Sequence, residues 1–586
     1  MQKASTFLTL LISAVAFSVV SSAPAYTSVA ADTIILYANP LSSGTNTIDR
    51  QILSDTLKGG VLPPNTVFVL QQTGTIDTVY YVNSLITVGG NITLIGKPNP
   101  KTGNLPVVAT GINSDNSSPW TFFNPNGFDT TTLKNLYLLG TRSDGLLGAS
   151  QFFYANGDSC TLIVDHCVVE NFSNAGSGTP NIAGFWNNSH ANIYVTNTEF
   201  RNNQDDVPQN PGFTWVDPTA YPCDNAVFKN NTFFIMGGTL IGSAGYIGNV
   251  DIEHNTVFLQ TKGGIFTVPS AWNVTIKNNV FFSVNSTGLD TGVVNEVASQ
   301  NANFYGPPAV IELDTLSSSL EAAPYNLTEA GRKIVVTNNA YFWPAGIVNN
   351  WKTVNNMHTK YGVIVPPVWL AQTGANLVGN KTKWPGINIA NNDSTDPGFN
   401  ATLVAQAADS MAVFIDTCWN EGTGANIRPY WMRQSDPPDF SFLPSGWTWG
   451  KGGYAYPVRE NLRYSNTALQ TAGDDGKALG DLNWFPEQVG VHQTPDALPT
   501  KFDLSQNYPN PFNPTTNIKV SLTHSGTMSL TIYNVLGQVV QLVDQGYKLA
   551  GEYTYNIGMD KFSSGVYFYK LQQGTNSITK KMVLLK

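Results

Sequence analysis

One eight-residue template recurs through the middle of this chain: apolar-x-apolar-x-(Asn or His)-(Asn, Cys or Thr)-x-apolar. It runs Leu162-Ile163-Val164-Asp165-His166-Cys167-Val168-Val169, and returns at 193–200, 226–233, 250–257, 274–281 and 334–341. Leu133-Lys134-Asn135-Leu136-Tyr137-Leu138 is a degenerate earlier copy. The first polar position therefore falls at 135, 166, 197, 230, 254, 278 and 338, in steps of 31, 31, 33, 24, 24 and 60. The last step holds an insertion between about Thr287 and Gly331. Apolar alternation predicts a half-buried strand, and the polar pair after it a sharp bend into the next strand. A unit this short cannot close its own apolar face, so the copies must stack.

Asparagine enters the left-handed region, which such a bend demands, at less cost than most residues. Its amide both donates and accepts, so an Asn in one coil can bond the Asn of the next and satisfy a buried polar group. The expected fold is all-β: a right-handed parallel β-helix with Asn231, Asn255, Asn279 and Asn339 on a structural ladder, interrupted at Cys167 and Thr198. A β-sandwich with Asn-rich turns would leave the repeated template unexplained. The pattern resembles the pectate-lyase-like superfamily, in which an Asn ladder lies at a tight turn between two of three sheets. β-rich runs at 66–70, 80–82 and 92–96 are expected to open the helix. After Tyr341 the template is expected to dissolve into a Trp- and Pro-rich capping stretch holding Trp351, Trp369, Trp384, Trp419, Trp431, Trp447 and Trp449. Segments 393–399 and 474–484 resemble those that close such helices.

The last 85 residues read differently. Gln506-Asn507-Tyr508-Pro509-Asn510-Pro511-Phe512-Asn513-Pro514 is an extended, turn-rich lead-in. Six β-rich runs follow, at 516–522, 528–534, 538–543, 551–557, 566–571 and 578–585, with the spacing of a small β-sandwich. This stretch resembles the type A C-terminal sorting domain of proteins exported by the type IX secretion system. The lead-in carries the resemblance, with Ile532-Tyr533-Asn534-Val535-Leu536-Gly537, Phe562-Ser563-Ser564-Gly565-Val566-Tyr567 and the closing Lys580-Lys581-Met582-Val583. It implies an address tag that engages the type IX machinery through 502–586. An accessory sandwich, such as a carbohydrate-binding module, is the competing reading.

At the other end Lys3 precedes an apolar run, 7–20, and the small residues Ala23-Pro24-Ala25 and Ser28-Val29-Ala30, the pattern of a secretory signal peptide. No later run has the roughly 18 apolar residues of a spanning helix. The expected organisation is signal peptide 1–31, β-helix with its Trp-rich cap 32–488, linker 489–501 and β-sandwich 502–586. The mature chain is expected to be secreted, extracellular or on the outer surface of a Gram-negative bacterium. Charged residues are only 12%, against about 25% in an average domain, and the net charge of −9 argues against a nucleic-acid partner. Four cysteines in an oxidising compartment allow two disulfides in three pairings.

The chemistry is thinner. Pectate lyases imply acidic residues for calcium and an arginine base. The charged candidates in the repeats are Asp165, Glu170, Glu199, Arg201, Asp205, Asp206, Glu253 and Lys277. Asp205-Asp206 is the adjacent acidic pair, a catalytic or calcium-binding candidate against the plainer reading of a solvated turn. His166 and His254 occupy bend positions where other copies carry Asn, which favours a structural role. Arg428-Pro429-Tyr430-Trp431-Met432-Arg433 would stack on a sugar or pack a cap. No nucleophile–base, zinc or phosphate-loop signature is present, and no cofactor beyond calcium is suggested. Two readings follow: a non-catalytic surface or matrix protein, adhesive, self-associating or in contact with glycan, and a lyase or hydrolase of acidic polysaccharide. The missing motifs favour the first.

Overall fold

The computed structural model describes the chain from Thr33 to Lys586, except 37–46, 72–78, 175–182, 187–189, 206–213, 217–222, 261–265, 291–308, 317–320, 322–325, 358–363, 372–376, 420–448, 455–460, 495–500 and scattered gaps of one or two residues. The signal peptide expected over 1–31 lies outside the described residues. Three parallel sheets enclose one apolar interior. The first has eleven strands, from Thr33–Leu36 to Ile387–Ala390; the second has ten, from Val79–Val82 to Ala340–Phe342; the third has seven, from Phe153–Asn156 to Val368–Leu370. Neighbouring strands come from successive coils and pair in register, as Leu162, Ile193 and Ala226 do. This is a parallel β-helix, and parallel crossovers take the right hand.

The template's bend has the expected conformation. Asn135, His166, Asn197, Asn230, His254, Asn278 and Asn338 all have φ between 50° and 59°. One expectation is corrected: the template does not end at Tyr341. It returns as Ile387-Asn388-Ile389-Ala390-Asn391-Asn392, with Asn391 at φ 56°. The apolar residue that should follow the bend is absent there, which hides the copy. The interior repeats by position, so that Phe200 and Phe233 stack 4.9 Å apart. Cys167 and Cys223 are buried and make no disulfide, so the two bridges that four cysteines allow do not both form. Burial pushes the Cys167 and Cys223 thiols up to about 12, which makes them inert.

Helix α1 (Ile48–Ser54) buries Ile48 and Ile52 at the N-terminal end of the interior. Two further helices, α2 (Ala345–Met357) and α3 (Ala401–Trp419), are present where a Trp-rich cap was expected. Their apolar residues recur four apart, Ile347 and Trp351 in α2, Leu403, Ala407 and Met411 in α3. Asn400 Oδ1 accepts from the Thr402 and Leu403 amides, capping α3. With segment 462–485 these helices cover Phe234, Phe258 and Phe282, a stack on the outer face of the second sheet. The buried Trp351 and Trp384 indoles donate to Ser286 O at 2.6 Å and Glu329 Oε2 at 2.8 Å. Trp431 and Trp447 lie outside the described residues. Among the described residues no helix is long and apolar enough to cross a membrane.

The tail folds as two four-stranded antiparallel sheets over a core that includes Leu504, Phe512, Ile518, Tyr569 and Leu584. Its six long strands are Thr515–Leu522, Gly526–Tyr533, Val539–Lys548, Gly551–Gly558, Gly565–Gln573 and Asn576–Leu584. The segment expected as linker is not all linker: Val491–Thr494 pairs antiparallel with Tyr555 to Glu552. The lead-in covers an exposed sheet edge. Phe512 N donates to Val583 O, Leu585 N to Phe512 O and Val583 N to Asn510 Oδ1 along the outer side of the last strand. An edge occupied in this way is closed to stray pairing.

Candidate functional site

Three groups of polar side chains stand where the sheets meet or face outward. The first lies just after the left-handed bend, where the next residue turns its side chain inward. There Asn231, Asn255, Asn279 and Asn339 are buried, and each donates Nδ2 to the Oδ1 of the next coil, at 2.9, 3.0, 2.8 and, from Asn339 to Asn392, 2.8 Å. Backbone amides join in: Asn231 N and Asn255 N donate to the same acceptors at 3.0 and 2.8 Å. At the interruptions Thr198 N donates to Asn231 Oδ1, and Thr198 Oγ1 accepts from Cys167 N. A hydroxyl thus carries the chain of bonds past the point where the amides stop.

The bend residues themselves point outward and hold a strap, 472–483. Asn338 Nδ2 donates to Ala472 O, Asn278 Nδ2 to Asp474 Oδ1, and Asn230 Oδ1 accepts from Leu482 N. His254 Nε2 lies 3.3 Å from Asp475 Oδ2, a docking contact in place of an amide one.

Beside the bend runs a row of alternating charge on the outer face of the first sheet. Register places Lys134, Asp165, Thr196, Lys229, Glu253 and Lys277 side by side. Lys229 Nζ lies 2.6 Å from Asp251 and 3.0 Å from Glu253; Lys277 Nζ lies 3.1 Å from Glu253 and 3.0 Å from Asp474. Burial raises the Asp251 carboxyl despite Lys229. For Glu253 burial also acts upward, but Lys229 and Lys277 outweigh it and hold the group low. Asp165 is buried too, yet His166, Lys134 and Asn197 together hold it well below the usual range.

The second group is sealed. On the outer face of the second sheet Arg201 Nη1 donates to Glu199 Oε1 at 3.0 Å, its Nε lies 3.9 Å from Glu170, and the Tyr137 hydroxyl donates to Glu170. The strap lays Asp481 over this cluster, where Thr232 Oγ1 donates to its carboxylate at 2.6 Å and its own amide donates to Thr256 Oγ1. Arg201 is 2% exposed. Burial, with Glu199 adding to it, raises Asp481 to about 7. Sequence reasoning found Glu170, Glu199 and Arg201 but not Asp481, which comes from 249 residues beyond Thr232.

Asp205 ends the strand Glu199–Asp205, its backbone paired with Asn174, and Asp206 lies outside the described residues. Among the described residues no group of three His, Cys, Asp or Glu side chains is placed to hold a metal ion. The third group, missed in the sequence, is a second set of amides: Asn192, Asn225, Asn249 and Asn273, register partners on the outer face of the first sheet. Each precedes its template copy by one residue, a signal that was there to find.

Residues 506–585 match the family model of the secretion system C-terminal sorting domain. Comparison with curated proteins and with solved structures found no match. A tail of this family marks cargo of the type IX system, and the protein is secreted, extracellular or on the cell surface of a Gram-negative bacterium.

Proposed function

We propose that this is a non-catalytic surface protein whose β-helix, similar to the pectate-lyase-like helices in its Asn-bend template, presents a rigid face to glycan or to another surface. In this reading residues 32–488 form the body, 489–501 the junction and 502–586 the export tag. One observation carries it: α2, α3 and the strap bury the outer face of the second sheet around Phe234, Phe258 and Phe282, while most outward side chains of the first sheet stay half-exposed. The charges on that open face suit binding better than bond cleavage. Asp251 and Glu253 stand two residues apart on one strand and clasp the same Lys229. A glycosidase needs its two carboxyls on opposite sides of the scissile bond. Arg201, the arginine a lyase would use, is held between two carboxylates beneath the strap. Asp205 and Asp206 remain the acidic pair to test for calcium or acid–base work.

The mature full-length chain, incubated with pectate, alginate and neutral polysaccharides in the presence of calcium, should release no unsaturated or reducing ends, and should be retained by at least one of these polymers or by itself. Turnover abolished by Asp205→Ala with Asp206→Ala would replace this reading with the polysaccharide lyase or hydrolase.

A further inference from the structure

The amide row on the open face poses a problem that the bend ladder does not. At the bend the amides are buried, and bonding one another is how they avoid an unsatisfied polar group. Asn192, Asn225, Asn249 and Asn273 have water to bond instead, and asparagine is disfavoured in strands. Four in register on a solvent-facing sheet is a cost to folding that some other use must justify. Their geometry is ordered all the same: Asn225, Asn249 and Asn273 each donate Nδ2 to the Oδ1 of the preceding coil, at 2.6, 3.1 and 3.0 Å. Asn192 Nδ2 donates to His190 O, and Asn249 Nδ2 also reaches Asp224 O at 3.2 Å. Each Oδ1 that accepts one such bond keeps a second lone pair. The amides are thus locked at the strand spacing of about 4.8 Å, with the rotamer entropy that a ligand would otherwise have to supply already spent in folding.

The neighbouring charges select the ligand. Lys229 is shared by Asp251 and Glu253, Lys277 by Glu253 and Asp474, and His190 lies 3.0 Å from Asp224. Within the amide row carboxylates outnumber cations, and a polyanion would meet net repulsion. Lys333, the register partner of Asn273, stands beyond the last amide. Two residues along from the amides, on the same face, come Tyr194, Val227, Asp251 and Thr275, a strip that is half-buried and mostly uncharged.

We infer that the row Asn192–Asn225–Asn249–Asn273 is a binding rail for an uncharged polysaccharide lying along the helix axis, its hydroxyls meeting one amide per coil. This rests on the reading of the first sheet as the contact face, and it gives the glycan of that reading a class, neutral. Affinity electrophoresis of the mature full-length chain tests it, in gels containing mixed-linkage β-glucan, xylan, mannan, pectate or alginate. Retardation is expected by a neutral polymer, insensitive to salt. Asn225→Leu with Asn249→Leu should weaken it about tenfold, the loss of one or two hydrogen bonds, with the melting temperature little changed. Asn249→Asp, which keeps the shape and removes the donors, should weaken it in the same direction. Salt-sensitive retardation by pectate or alginate alone would overturn the neutral ligand while leaving a glycan-contacting surface standing. Neutral binding that survives both variants would move the ligand off this row. Binding to none of the five polymers would remove the rail and the glycan reading together.

Discussion

Strands of the body's three large sheets pair in parallel with strands one coil away, 24 to 60 residues distant, whereas strands of the tail pair antiparallel, some within hairpins and others with a strand beyond the next one. Burial signatures differ with what lies against the outer face of each sheet. In the tail Thr515–Leu522 alternates exposed and buried residues, because one face meets the sandwich core and the other meets water. In the second sheet of the body Thr232–Met236 and Thr256–Gln260 are buried throughout, because the interior lies on one side and the helices and strap on the other. The tail is therefore readable strand by strand. The body is readable only through what repeats.

The sharpest way to break this pairing of regions is to separate them. Deleting 502–586 should abolish export while leaving a folded helix inside the outer membrane, since the tail holds the address and the body holds its own core. Immunoblots of surface, culture fluid and periplasm would check this, and truncated protein in the culture fluid would refute it. The strand Val491–Thr494 adds a refinement, because it leaves its partner in the tail when the cut is made at 502.

Point changes should then act on one region at a time. Asn255→Leu removes an amide that donates to Phe228 O, Glu253 O and Asn279 Oδ1 and accepts from Asn231, so neighbours on both sides lose partners. The cost should be about 1–3 kcal/mol, confined to the melting transition of the body. Backbone strain adds nothing, because the left-handed residue is His254 and not Asn255. Tyr569→Phe is the counterpart in the tail. Its hydroxyl donates to Ser505 O at 2.7 Å and accepts from Asn507 N at 2.8 Å, pinning the lead-in. Its loss should cost about 1–2 kcal/mol in the transition of the tail alone. Calorimetry showing both transitions shifted by either variant would deny that the regions melt separately.

How much of this was legible depended on whether one residue type did one job. At the first bend Asn or His recurs at each coil from Asn135 to Asn391, because the left-handed backbone and the need for outward hydrogen bonds select the same side chains. A second left-handed column, after the second sheet, holds Asn171, Asn202, Ile235, Leu259 and Ser283. Ile235 and Leu259 cost roughly 1–2 kcal/mol each there, offset by burial beneath the covering segments, so no single type is selected and no motif forms. The same cover explains why α2 and α3 escaped notice: their apolar stripes answer a row of phenylalanines, not a repeat of their own. The sealed cluster was half visible, since Glu199 sits in a template copy and Glu170 and Arg201 each follow one by a single residue. Asp481 reaches it from a distant strap, by a contact that no local pattern encodes.

That contact gives the finest test of the difference between the two faces, because the covered one holds a carboxyl raised to about 7. Asp481 is raised by burial from 3.8 to about 7, with Glu199 adding to the shift. A group that holds its proton more tightly folded than unfolded stabilises the fold fully below the unfolded value and loses that contribution as pH rises through the folded one. The body should therefore lose stability between about pH 4 and 7 through Asp481. Asp165, Asp475 and Glu253, whose values are lowered, act in the opposite sense and below that window. Asp481→Asn keeps an acceptor for Thr232 and for the Asn483 amide but has no proton to lose. Its melting temperature, subtracted from that of the unaltered chain at each pH, should leave a difference that changes across the window and is flat on either side. A constant difference would mean that Asp481 is ionised beneath the strap, and that the strap does not exclude water from the second sheet as it does in this structure.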